Sequence, residues 1–486
     1  MTPSRIAILG GGTAGWMAAC LFERAWPSAQ VTVVEAPDIP IVGVGEGSTP
    51  QLKAFFDRIG VTEAEWMPAC DATYKAGIEF RGWSAARDRY FHPFAGPTDL
   101  HTEGAFHHSA LARRTGADVE ADPDRFFLAT RIARAALAPV AAEAFPFGPG
   151  YGYHFDAHKV GAFLRGVATA RGVRHLQRRV VEVEIADGNV AALILEGGDR
   201  LDADLYVDAS GFRATIATAL GAKFLPFAAN LFCDRAVVTP TSADPAPLAQ
   251  TTATALSAGW VWRIPLTART GNGYVYSSRY LDPAAAAAEL RRHLSLPEDA
   301  PVRHLDMRVG RLATTWTGNC LAIGLAQGFI EPLEATALHL VQATVEGFIE
   351  AFPVRERDAF NARIARRYEG VRDYIVAHYR LNQRRDTQFW RDNAAHDRLS
   401  DDLKAVMTAW FTGRDLPQTI ADLGIGGYYA PLSWGCLLAG YGTFPDPAKL
   451  RPSAPVADLP AIDRLLDRCL LNFRPHADFL AERNPS

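Results

Sequence analysis

The chain has 486 residues, 48% hydrophobic and 21% charged, ordinary globular proportions that exclude a disordered or fibrous protein. Fifty Lys and Arg against 54 Asp and Glu leave a formal charge of −4, so no broad field favours nucleic acid or an anionic membrane. The six cysteines (Cys20, Cys70, Cys233, Cys320, Cys436 and Cys469) stand far apart with no C-x-x-C pair, which argues against a metal site, a redox dithiol and a disulfide framework.

The length allows two or three structural units. No apolar run reaches the roughly 18 residues that span a bilayer. The first apolar stretch, Ile6 to Leu9, runs straight into Gly10, Gly11 and Gly12, a poor signal-peptide core. The expectation is a cytoplasmic enzyme that acts on a small uncharged molecule, with no nucleic-acid or membrane partner.

Ile6 to Leu9 predicts a short buried strand, Thr13 to Ala25 a helix and Val31 to Glu35 a second strand, a βαβ opening that favours a parallel sheet. Between strand and helix, Gly10-Gly11-Gly12-Thr13-Ala14-Gly15 satisfies G-x-G-x-x-G. Such glycines permit the tight turn and the close approach of a pyrophosphate to the helix N-terminus, where backbone N–H groups and the dipole favour an anion. Gly10, Gly12, Thr13, Ala14 and Gly15 are therefore candidate cofactor contacts. Glu35, about 20 residues beyond the last glycine, stands where an acid can hold ribose hydroxyls. Glycines serving only helix–strand packing are the alternative.

Val180 to Ile185, Val190 to Leu195 and Leu205 to Val207 alternate like strands and are separated by Asp187-Gly188 and Gly197-Gly198, which predicts a meander inserted in the nucleotide fold. The last strand leads into Asp208-Ala209-Ser210-Gly211, which resembles the second FAD segment of the flavin monooxygenase superfamily. That favours FAD over NAD, which shares the glycine fingerprint. A second fingerprint and a cysteine pair are both missing, so reducing equivalents are expected as FADH2 from a separate NAD(P)H-dependent flavin reductase. A monooxygenase that binds NADPH transiently would lack them too. Asp282-Pro283 before an alanine run predicts a capped surface helix. Helical spacing recurs from Glu334 to Phe352, and the rest of the chain reads as mostly helical.

Gly259-Trp260-Val261-Trp262-Arg263-Ile264-Pro265 matches the W-x-W-x-I-P signature of flavin-dependent halogenases, its tryptophans sharing one strand face. Further matches are Gly45-Glu46-Gly47-Ser48-Thr49-Pro50, Tyr74-Lys75-Ala76-Gly77-Ile78, Tyr153-His154-Phe155-Asp156-Ala157, Gly324 to Thr336, and Arg372-Asp373-Tyr374-Ile375 through His378-Tyr379 to Phe389-Trp390. In order and extent the chain resembles the flavin-dependent tryptophan and indole halogenases.

The resemblance implies an α/β FAD-binding Rossmann-like fold of the hydroxylase type, with an inserted antiparallel sheet and a helical C-terminal region. Residues 1–350 would form the FAD-binding module with the substrate-side sheet, and residues 351–486 the substrate-capping region. It implies that FAD, supplied as FADH2, molecular oxygen and a chloride or bromide ion yield hypohalous acid, which travels internally to an aromatic substrate. Lys75 falls at the catalytic lysine, able to act as ammonium or as amine, and Glu334 at the catalytic glutamate, with Glu331 fitting less well. Gly45, Ser48, Thr49, Asp208 and Leu325 join the cofactor contacts. Thr336 and Ala337 fall where the family binds halide through backbone N–H groups; many tryptophan halogenases have glycine at the position of Ala337.

His92 and Phe94 resemble a pair that sandwiches an indole ring, with Trp434 as another wall. Tyr428-Tyr429 resembles the start of an amino-acid clamp, but the stretch from there to Trp434 is short, so free indoles are expected to be better substrates than tryptophan. A homodimer is left open. The rival readings are a flavin-dependent aromatic hydroxylase, which would give a product without halogen, and a non-catalytic flavin-binding protein, which would turn over no aromatic.

Overall fold

The computed structural model describes residues 2–38 and 45–483. The chain forms two compact units, each drawn from three segments: Met1–Asp71, Phe155–Ala228 and Met307–Glu369 in the first, Ala72–His154, Ala229–Asp306 and Gly370–Ser486 in the second.

The first unit is built on a six-stranded sheet in the order Arg174–Gln177, Gln30–Glu35, Arg5–Leu9, Leu205–Asp208, Cys320–Ala322, Trp316–Thr317. All neighbours run parallel except the last pair, which forms a hairpin. Ile6, Ala7, Ile8 and Val31 to Val34 are buried, as the uninterrupted apolar runs of a sheet covered on both faces require. Helix Thr13–Ala25 lies against helix Ala157–Ala170, where the Thr13 hydroxyl donates to Ala157 O at 3.1 Å. It also meets helix Ala337–Ala351, through the edge-to-face rings of Phe22 and Phe348. Asp156 starts the second of these helices by accepting from the N–H groups of His158 and Lys159.

Two sequence expectations change here. Val180–Ala186, Asn189–Leu195 and Arg200–Leu201 do form an antiparallel sheet of their own, but Leu205–Asp208 leaves it to pair with Arg5–Leu9 in the parallel sheet. Its four residues are buried on both faces, which a half-exposed meander strand would not be. Glu334 lies outside the long helix expected to start there: it ends a short 3₁₀ turn, Pro332–Glu334, and helix Ala337–Ala351 begins only after Ala335 has turned through φ +55°.

The second unit is organised by a seven-stranded sheet in the order Arg303–Asp306, Arg235–Ser242, Arg269–Tyr276, Gly259–Pro265, Thr251–Ala255, Gly77–Arg81, Arg89–Pro93. It is antiparallel apart from the pairing of Thr251–Ala255 with Gly77–Arg81. Helix Pro283–His293, capped by Asp282 as expected, packs Ala286, Ala287 and Leu290 on Val237, Val261 and Tyr274. The 370–483 stretch is largely helical. Among the described residues every cysteine is buried and unbridged, no group of His, Cys, Asp or Glu is arranged to hold a metal, and no helix is long and apolar enough to cross a membrane.

Candidate active site

In the first unit the glycine turn is specified by near-contacts. Gly10 has φ +118°, and a Cβ there would fall 2.2 Å from the carbonyl oxygen of Ala209; one on Gly15 would fall 2.0 Å from the carbonyl oxygen of Gly10. The turn, the helix start and the Asp208 segment therefore press backbone against backbone. Gly11, formally a free position of the fingerprint, is glycine for a different reason. A Cβ there would fall 1.6 Å from Glu35 Oε2, because the Glu35 side chain lies across it. The sequence shows three glycines in a row but not this reason for the middle one.

Gly12 differs again. It caps helix Thr13–Ala25 with φ −73°, and a Cβ on it would meet no heavy atom within 4 Å. No side chain caps that helix and its first turn has no acid. Backbone donors and the positive end of the dipole thus face space that no described residue fills, which fits the pyrophosphate of a dinucleotide.

Around this turn, Glu35 Oε1 lies 2.6 Å from His175 Nε2 and 3.8 Å from Arg165, so its carboxylate is oriented at the end of its strand. Asp208 is fully buried. Its Oδ1 accepts from the Ser210 N–H and hydroxyl and its Oδ2 from the Ala217 N–H, so the carboxylate fixes the turn after its strand. Burial raises its carboxyl above the usual range, opposed by those bonds. Gly45 has φ +95°, Ser48 is buried and Thr49 half-buried. Leu325 lies in the 3₁₀ turn Gly324–Ala326, brought against the glycine turn where a Cβ on Gly324 would fall 2.8 Å from that of Ala14.

Glu331 and Glu334 are both buried. Thr336 caps helix Ala337–Ala351 without a side-chain bond to its N–H groups. Ala337 is the first helical residue, exposed, and absent from the residues with positive φ, so nothing at this position demands glycine.

In the second unit Lys75 ends the three-residue strand Thr73–Lys75, antiparallel to Gly152–Phe155, and is 0% exposed. It is not a solvated surface lysine. Its Nζ stands 5.1 Å from the Phe94 ring centroid. The chain is held on both sides of the following residue, where the Ala76 N–H donates to Ala249 O at 2.7 Å and the Phe94 N–H to Ala76 O at 2.8 Å. Gly77 lets the next strand approach, since a Cβ there would fall 2.2 Å from His92 O. Lys75, His92 and Phe94 are thereby brought to one place.

The aromatic wall continues beyond His92. Its ring lies 6.1 Å from that of Tyr374, which stacks on Tyr429 at 3.6 Å and meets Trp434 edge-on at 4.8 Å. Tyr374 and Tyr429 stand at the centre of this group; read from the sequence, Tyr374 had no role and Tyr429 was only the start of an amino-acid clamp. A cleft beside them is lined by Asp373, Asp402, Leu403, Tyr428, Tyr429 and Trp434. Asp373 is already engaged, by both Arg372 nitrogens at 2.8–2.9 Å and by the Ser400 hydroxyl at 2.6 Å. Trp260 and Trp262 are both buried with ring centroids 6.1 Å apart. The cross-strand Gly273 makes room for the second, whose ring occupies the place of a Cβ.

The lysine strand is also tied to the far end of the chain. His476 Nδ1 lies 2.8 Å from Pro247 O and so carries the proton, while Nε2 accepts the Tyr74 N–H at 3.3 Å. Burial pulls this imidazole down from 6.5 to about 4, against the bond to Pro247. Between those values the unfolded chain takes up a proton that the folded one refuses, so stability falls as pH drops from 6.5 towards 4, by up to about 3 kcal/mol. Denaturant unfolding at pH 7 and 4.5 measures the loss, and His476→Asn should flatten it.

A profile of the tryptophan halogenase family matches residues 5–455. The tryptophan 7-halogenase of Lentzea aerocolonigenes is 35% identical, over 99% of this chain and 97% of that protein. The 7-chloro-L-tryptophan 6-halogenase of a Kutzneria species (strain 744) is 34% identical, over 91% of each. A flavin-dependent halogenase from Xanthomonas campestris superposes with a TM-score of 0.88 at 35% identity, over 100% of this chain and 99% of that one. The hydroxylase reading is not favoured by these likenesses. With a glycine turn shaped for a dinucleotide and a buried lysine beside aromatic rings, the chain belongs to the tryptophan halogenase family and is a flavin-dependent halogenase.

Proposed function

We propose that this enzyme installs chlorine or bromine on a free indole or a similar electron-rich aromatic, and that tryptophan is a poorer substrate. The observation that carries this reading is the lysine's setting. A buried amine lies against Phe94; His92, two residues before Phe94, leads on to the Tyr374, Tyr429 and Trp434 rings, and aromatic faces suit a flat π-system. The stretch Leu423 to Phe444, which supplies two of those rings, has no charged residue to grip an ammonium or a carboxylate. The nearby Asp373 is taken by Arg372 and Ser400.

Reduced FAD, delivered by a separate flavin reductase, supplies the two electrons that with oxygen convert halide to hypohalous acid and water. The Gly10–Gly15 turn, Glu35, Gly45, Ser48, Thr49, Asp208 and Leu325 are assigned to that cofactor, and the N–H groups of Thr336 and Ala337 to the halide. Halogen in neutral hypohalous acid is a weak electrophile. Lys75 Nζ activates it, by donating a hydrogen bond as ammonium or by carrying the halogen as amine. The ring carbon then gains halogen and loses a proton, which we assign to Glu334. Keeping bulk water from the lysine protects the oxidant.

The test is product mass after incubation with bromide or chloride, oxygen, reductase and either indole or tryptophan. Halogenated indole at the higher kcat/KM is expected. Tryptophan turned over alone, with tight saturation, overturns the substrate assignment.

A further inference from the structure

Three segments that carry the family resemblance converge on one side chain that the proposed chemistry leaves unused. His154 is fully buried in strand Gly152–Phe155, directly across from Thr73. Its Nδ1 lies 3.1 Å from the Thr73 hydroxyl oxygen and its Nε2 2.8 Å from that of Thr251. Thr73 also donates to the carbonyl oxygen of Pro265, at 2.7 Å, the last residue of the W-x-W-x-I-P strand. A carbonyl only accepts, so the single Thr73 hydroxyl proton is committed to Pro265 and its oxygen accepts from His154 Nδ1–H. Nε2 then holds the ring's lone pair and accepts from the Thr251 hydroxyl. Both nitrogens of a neutral imidazole are thereby used.

Thr73 and Lys75 are two residues apart on one strand and project to the same face. Directly across from Lys75 stands Gly152, which has no side chain, so His154 is its diagonal neighbour on the partner strand. Burial holds the imidazole far below its usual pKa, and the positive charge of Lys75 adds to this, followed by His476 and Arg263. The ring therefore adds no second charge beside the lysine, and its one lone pair is turned to Thr251.

We propose that His154 is a positioning residue for Lys75: its neutral, Nδ1-protonated ring, latched between Thr73 and Thr251, fixes the strand face from which the lysine presents its amine to the oxidant. The proposal rests on Lys75 being the group that engages hypohalous acid. It links the Tyr74-Lys75, Tyr153-His154 and Trp-x-Trp-x-Ile-Pro segments through one hydrogen-bonded line.

The line can be cut at either end while a conservative partner is kept. His154→Asn supplies an amide N–H near the Nδ1 position, and His154→Gln supplies an acceptor near Nε2 without the donor. Thr73→Ser keeps the hydroxyl and Thr73→Val removes it. The full-length enzyme with FADH2, bromide and indole gives kcat and KM, and melting temperature with FAD affinity reports the fold. The pH dependence of Lys75 carbamoylation by cyanate, read by peptide mass, reports the amine without turnover.

Because misplacing a reacting group by about 1 Å costs on the order of a hundredfold, His154→Gln and Thr73→Val should lower kcat by at least about tenfold with KM within about twofold. They should also shift the carbamoylation profile of Lys75, and His154→Asn and Thr73→Ser should restore most of the rate and the profile. Where His154→Gln fails to fold, Thr73→Val carries the comparison. A loss of rate that follows melting temperature alike in all four variants, with an unchanged carbamoylation profile, reduces the histidine to a core residue and overturns the proposal. Lys75→Ala is the reference: if it still brominates indole, the reading of Lys75 falls, and this proposal with it, whatever the His154 variants do.

Discussion

Replacing Lys75 by methionine is expected to abolish halogenation, by at least about 10³-fold in kcat, while leaving the fold no less stable. The two halves of that expectation have separate causes. Lys75 is 0% exposed and its Nζ lies 5.1 Å from the Phe94 ring, so its amine has been taken out of water at a cost that a purely structural residue would have no reason to bear. Methionine has nearly the same length and no charge, so it fills the same space with no ionisable group to bury. Product mass and thermal unfolding on the same preparation read both quantities. A methionine variant that halogenates like the parent, or that unfolds several degrees early, would show the lysine to be architectural.

The second large effect separates cofactor binding from folding by two single-methyl changes in one turn. Gly15→Ala places its Cβ 2.0 Å from the carbonyl oxygen of Gly10, and backbone cannot give way cheaply there, so a stability loss of about 2 kcal/mol or more is expected, with FAD affinity lost alongside. Gly12→Ala places its Cβ where no atom of the described residues lies within 4 Å, at an ordinary φ of −73°. The apoprotein should melt within about 0.5 kcal/mol of the parent. FAD affinity should nevertheless drop at least about tenfold, because the methyl enters the space proposed for the pyrophosphate. Isothermal titration with FAD and melting of the apoprotein decide it. Unchanged FAD affinity in Gly12→Ala would mean that the cofactor lies elsewhere.

How much of this was legible beforehand follows from the range of the interactions involved. The Arg5–Leu9 strand, the Thr13–Ala25 helix and the Gln30–Glu35 strand were readable almost to the residue, because strand burial, glycine geometry and helix propensity all act within a few residues. The Asp282 cap was readable for the same reason. Leu205–Asp208 was assigned to the wrong sheet because alternation reports a strand and not its partner, and its true neighbour lies 199 positions away in sequence. Glu334 was given to the helix because the turn through Ala335 uses a left-handed alanine, which leaves no glycine or asparagine to mark the break.

Within the site, Lys75, His92 and Phe94 could be named from their motifs, but their being brought together depends on the register of Gly77 against Pro93. Gly11 was seen without its reason, since only the folded chain lays Glu35 across it. Tyr374 and Tyr429 were in view as letters of a motif. Their stacking joins positions 55 residues apart, and no local pattern encodes that.

The tie between Tyr74 and helix His476–Arg483 makes the lysine strand depend on a distant part of the chain. Because Tyr74 hangs its backbone N–H on His476 and its hydroxyl accepts from Arg483, the strand that carries Lys75 is fastened by residues some 400 positions further along the chain. A nascent or proteolytically clipped chain that ends before position 476 would contain every glycine of the dinucleotide turn and still lack the fastening of its lysine. A cut upstream of that helix would therefore strike the lysine strand while leaving the glycine turn whole.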